Sequence, residues 1–249
     1  MQIELYFPND NYQQKLKNLL SDNTVSIKQN NQNGIYILSV DICGEDESCA
    51  KSLSEILEEI TTKCPDENFF ISKNEASAFF NRQLYPHFNN FERNLRRLIY
   101  IIAIKSNDNN MNNIADKIEN FDFGEIGNEI IFNKKTVKAY KDQIQNDPNT
   151  KFYRRKALAD AKDKTLWRFM VEYKTFFVEH FEQLTTYRND VMHAHNMDYI
   201  NYCKALILIT GANEELYCLI CHYLNQKKYV RPDIKETLNY LTQKMFFNK

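Results

Sequence analysis

Up to Pro65 the apolar positions alternate more than they recur every third or fourth place. "IELYF" at 3–7 and "GIYILSVDIC" at 34–43 carry the two-residue period of strands, with Ile35, Ile37 and Ser39 opposed to Tyr36, Leu38 and Val40. Between them "YQQKLKNLL" has helical spacing, and the turn signal "NNQNG" joins "TVSIKQ" to "IYILSV" as a hairpin. Leu53, Ile56, Leu57 and Ile60 then share one stripe of a helix. Together these runs predict a small β-α-β-β-α unit.

From Ser72, which with Glu75 spells a capping box, the pattern turns helical. Phe88, Phe91, Leu95, Leu98, Ile99 and Ile102 form one buried stripe along 84–104. Glu92 and Arg96 fall at its margin, where an isolated charge is costly and needs a partner, while Arg93 and Arg97 project outward. Residues 106–149, with "SNDNNMNN" and "NDPNT", read as an Asn-rich insertion holding two short helices. A second long helix is predicted over 165–187, its stripe made of Trp167, Met170, Val171, Phe177, Phe181 and Leu184. Helical stretches follow at 198–210, 213–226 and 232–247, the last opening with proline. The expected fold is mainly α: a small α/β domain over 1–73, then a helical domain over 74–249.

Composition agrees with a folded chain, since 43 % hydrophobic residues with 17 Phe and 15 Tyr supply apolar volume for cores. A net charge of −1 gives no global attraction to nucleic acid, so polyanion binding has to come from local asymmetry. Residues 41–59 hold seven acids and one lysine, whereas 151–168 hold seven basic residues and two aspartates. Such runs are commonly solvated helix faces. In the basic one, however, Arg154, Arg155 and Lys156 stand beside Phe152 and Tyr153, which suits phosphates and stacked bases. No basic-then-apolar leader opens the sequence and no run approaches the ~18 apolar residues of a membrane span. A cytoplasmic protein without membrane association, its six cysteines reduced, is therefore expected. "CLICH" at 218–222 matches a haem-attachment pattern but lies in an apolar helix, where cysteine reads as a small buried hydrophobe.

The densest chemistry is "TTYRNDVMHAHNMDY" at 185–199. Arg188 stands four residues after Leu184 and seven after Phe181, so a permanent cation continues an apolar stripe. Its bland role would be pairing with Asp190 or Glu92. His193 follows five residues on, giving R-x-x-x-x-H with Asn189 directly after the arginine. On an unbroken helix residues five apart differ by about 140°. Either the helix ends or bends at Asn189 and Asp190, both weak helix residues, or two copies meet across a two-fold axis. His193 and His195 lack the nearby cysteines or acids that would complete a metal site, so neither metal nor cofactor is expected.

An R-x4-H motif with a polar residue after the arginine, at the end of a long helix, resembles the HEPN superfamily of ribonucleases found in toxin–antitoxin, abortive-infection and RNA-targeting CRISPR systems. "YPHFNNFERNLRRLI" looks like the first long helix of abortive-infection HEPN proteins. The resemblance spans about 75–226 and implies a HEPN-like helical bundle acting as a homodimeric, metal-independent endoribonuclease on RNA, tRNA or mRNA. It further implies an antitoxin or a phage-derived trigger protein as partner. Under it Arg188 holds the scissile phosphate and stabilises the phosphorane, His193 moves protons, and Asn189 orients either group. An imidazole titrating near neutrality suits that task. Asp190, Glu92, Arg96 and His195 would support the site; Arg93, Arg97, Arg154, Arg155 and Lys156 would contact RNA. The products would be 2′,3′-cyclic phosphate and 5′-OH ends. The sequence departs from the toxins that carry a tyrosine two residues after the histidine, because His195 stands there and the nearest downstream tyrosine is Tyr199. Regulation by modification of that tyrosine is therefore not carried over. The family also has members that bind RNA or protein without cutting.

Overall fold

The computed structural model describes residues 1–16, 26–65, 68–106, 118–131 and 176–225. It is mostly helical with one small four-stranded antiparallel sheet. The chain divides into two compact units, Met1–Pro86 with Arg188–Ala205, and His87–Tyr187 with Leu206–Lys249.

In the first unit the strands are β1 (Gln2–Phe7), β2 (Ser26–Gln32), β3 (Ile35–Asp41) and β4 (Phe70–Asn74), arranged β2-β3-β1-β4. Ile3, Leu5 and Phe7 are buried on alternate positions of β1, and Ile3 and Leu5 lie opposite Val40 and Leu38 of β3. One face of the sheet is thus apolar, as the period of two requires. Asn33 and Gly34 take φ of 53° and 84°, the doubly left-handed turn that closes a tight hairpin, and Gln32 pairs with Ile35 across it. Helix α1 (Tyr12–Lys15) follows β1, and α2 (Glu47–Lys63) buries Ala50, Leu53, Ser54 and Ile60. Asp46 caps α2 by accepting from the Cys49 amide.

Strand β4 has no counterpart in the sequence pattern, because its residues are mostly exposed or half-buried and show no apolar alternation. It contains Ser72, whose hydroxyl donates to Glu4 on β1. The expected capping box at Ser72 accordingly does not form. Asn74 caps the next helix instead, accepting from the Ser77 amide, while Glu75 accepts from the backbone N–H of Gln2.

Helix α3 (Glu75–Ser106) carries the stripe Phe88, Phe91, Leu95, Leu98, Ile99 and Ile102, all buried in the second unit. Also in that unit are a 3-10 turn (Ile118–Asn120), the short α4 (Phe123–Glu125), a π-helical segment (Ile126–Ile131) and α5 (Phe176–Glu179). Phe91 meets Phe123 and Phe177 edge-on at 5.8 and 5.9 Å, and Phe123 stacks on Phe181 at 4.9 Å. Gly127 lets the π segment lie flat on that cluster, since a Cβ there would overlap the Phe181 ring.

Helices α6 (Phe181–Met192) and α7 (Tyr199–Asn225) complete the described chain. The sequence pattern divides 198–226 into two helices, yet α7 is a single one. An isolated Gly211 costs only about 1 kcal/mol inside a helix. Asn213, placed to start a new helix, instead donates its side-chain amide to the carbonyls of Ile209 and His87. The predicted helical residues 165–175 and 232–247 and the basic Arg154, Arg155 and Lys156 lie outside the described residues. Among the described residues no helix is long and apolar enough to cross a membrane.

Candidate functional site at the end of helix α6

The polar cluster at 188–195 is organised by how α6 stops. The His193 amide still reaches the Asn189 carbonyl at 2.9 Å, so the helix keeps its phase through the motif. Of the two routes open to the sequence, an end or bend at Asn189 and Asp190 does not occur: α6 runs to Met192, and within one chain Arg188 and His193 leave the helix in divergent directions. Past His193 the chain reverses. The amide of Ala194 bonds Val191 at 3.3 Å and that of His195 bonds Asp190 at 2.8 Å, with Ala194 at φ 53°. This is a Schellman closure with alanine where glycine is usual.

That closure brings His195 back over the last turn. Its Nδ1 lies 3.0 Å from Asp190 Oδ1, and its ring centroid is 5.8 Å from that of His193. Both histidines are exposed, as is Asn189, and Arg188 is half-buried with Nη1 donating to Asn189 Oδ1 at 3.3 Å. Asp190 is thus engaged by His195 through both side chain and backbone.

Two residues that sequence reasoning missed hold the reversed segment in place. Ser77 and Asn81, both buried on the first turns of α3, donate to the His195 carbonyl at 3.2 and 3.0 Å. The Ser77 hydroxyl also accepts from the buried Met197 amide at 2.8 Å. The signal available was a pair of polar residues spaced i, i+4 among Ala76, Phe80 and Leu84, a position where a buried polar group must have a partner. Further on, Asn74 donates to Asn196, the Tyr199 amide donates to Ser54, and Lys51 sits 5.0 Å from the centre of the Tyr199 ring. Burial first, and then neighbouring Cys203, raises the Tyr199 hydroxyl pKa above its ordinary value.

A groove of about 440 Å³ opens beside this segment, lined among others by Glu55, Glu58, Asn196, Asp198 and Lys204. Three carboxylates against one ammonium repel phosphate, so an RNA backbone would not follow it. The remaining candidates belong to the second unit. Arg96 donates to Glu92 and to the Phe121 carbonyl, each at 2.7 Å, and also to the Ile118 carbonyl. The two stripe-edge charges thus bond each other, and Arg96 also bonds the backbone at the 3-10 turn. Arg93 and Arg97 are exposed on the same helix. Among the described residues no three His, Cys, Asp or Glu side chains are grouped as a metal would need. No protein-family profile, curated protein or solved structure matches the chain.

Proposed function

We propose that this chain is a HEPN-type endoribonuclease that acts without metal as a homodimer, in cytoplasmic phage defence or a toxin–antitoxin pair. In this reading residues 74–249 form the HEPN-like bundle, and the sheet-bearing segment 1–73 restrains the nuclease or senses a phage-derived trigger. The observation that carries it is the end of α6. A guanidinium, a side-chain amide and two exposed imidazoles stand on one closed helix terminus. Those groups are the ones that RNA transesterification uses. Arg188 grips the non-bridging oxygens and offsets the charge of the phosphorane, imidazoles carry the 2′-OH proton away and supply one to the 5′ oxygen, and Asn189 fixes the guanidinium plane.

The test is incubation of the purified protein with total RNA in EDTA. Wild type is expected to leave 2′,3′-cyclic phosphate and 5′-OH ends and to spare DNA, and Arg188→Ala is expected to slow cutting about 10²–10³-fold, the scale of losing one oxyanion donor. Cutting that survives both Arg188→Ala and His193→Ala, or that stops in EDTA, refutes the assignment.

A further inference from the structure

The nuclease reading assigns proton transfer to His193, but the structure does more to aim its neighbour. His195 is held at three points: its amide on the Asp190 carbonyl, its carbonyl under Ser77 and Asn81, and its ring Nδ1 on the Asp190 carboxylate. The clamping residues Ser77 and Asn81 are buried, whereas the His195 side chain keeps 61 % of its surface open. A carboxylate that accepts only can bond Nδ1 only if that nitrogen carries the proton. In the neutral ring the bare nitrogen is then Nε2, with its lone pair free to act as a base. The backbone pays for this with Ala194 in a left-handed conformation that alanine disfavours, a kind of strain that collects at functional positions.

Resting on the nuclease reading, we infer that His195 is a second catalytic residue, the base paired with His193 as the acid, and that Asp190 is its positioning residue. Nε2 of His195 takes the proton as the ribose 2′-O–H bond breaks and the 2′-oxygen bonds phosphorus. The P–O5′ bond then breaks with its electron pair on O5′, and the imidazolium of His193 gives that oxygen a proton. Both rings return to their starting states by exchange with water, so nothing is oxidised or reduced. The 5.8 Å between the two rings lets both reach one phosphodiester, and of the two only the His195 ring is bonded to Asp190, which fixes the nitrogen it presents.

The experiment has an arm that does not depend on cleavage. In ¹⁵N-labelled protein the neutral His195 ring should be the Nδ1–H tautomer, and Asp190→Ala should return it to the Nε2–H form that free imidazole favours. In cleavage assays His195→Gly should lower kcat about 10²–10⁴-fold with little change in KM, and added imidazole should restore part of the rate, which repair of a merely structural role would not do. Wild-type protein with an Nε2–H His195, or His195→Gly protein that cuts at the wild-type rate, overturns the inference while leaving the nuclease reading intact. Wild-type protein that cuts no RNA overturns both.

Discussion

Ala194 is where the cost of the arrangement can be measured. A left-handed φ of 53° costs an L-residue roughly 1–2 kcal/mol, and a glycine there would escape that penalty while adding roughly 0.5–1 kcal/mol of freedom to the unfolded chain. Ala194→Gly should therefore stabilise the protein by about 0.5–1 kcal/mol, seen as a rise in Tm of about 1–4 °C by calorimetry. A fall in Tm would mean that the turn is not left-handed in solution. Nothing in "MHAHN" foretells this turn. Alanine has no preference for it, and the bonds that enforce it come from Ser77 and Asn81, more than a hundred positions away. The residue types of the site were legible in the sequence, but the pairing of Asp190 with His195 was not, because it depends on that non-local clamp.

At the scale of elements, periodicity sufficed wherever burial was one-sided. The stripe from Phe88 to Ile102, the alternation in β1 and the Asn33-Gly34 hairpin could all be read because one face of each is apolar or one turn needs a specific dihedral pair. It failed for β4, an exposed edge strand, and between 210 and 213, where the pattern divides what is one continuous helix. Glu92 and Arg96 show a third kind of limit, since the pattern placed both charges at the edge of the stripe but could not show that they bond each other or that Arg96 grips the 3-10 turn. Arg96→Met keeps the packing length and removes three charge-assisted bonds in a site that is still partly wet. It should cost about 2 kcal/mol, and Glu92→Gln about half as much. Because the two residues share a bond, the double variant should cost less than the two single losses summed. Fully additive losses in urea denaturation would show that the two side chains act separately.

At the scale of the molecule, the persistence of α6 through its motif narrows how a site can be built. One chain's Arg188 and His193 diverge by about 140° on the helix, so a pocket needing both to face one phosphate is best met by two copies across a two-fold axis, each giving one group to each half of the site. This makes a sharp forecast for mixed subunits. Arg188→Ala and His193→Ala proteins, each inactive alone, should regain cutting when unfolded and refolded together. Half of the dimers then hold one variant of each kind, and each of these has one intact Arg188–His193 set of two, so the mixture should reach about a quarter of the wild-type rate. The double variant Arg188→Ala/His193→Ala mixed with wild type should leave only the wild-type homodimers active, about a quarter of the wild-type rate, because each mixed dimer loses one group from either half of the site. A mixture of the single variants as dead as its components, with heterodimers verified by native mass spectrometry, would put the chemistry within one chain.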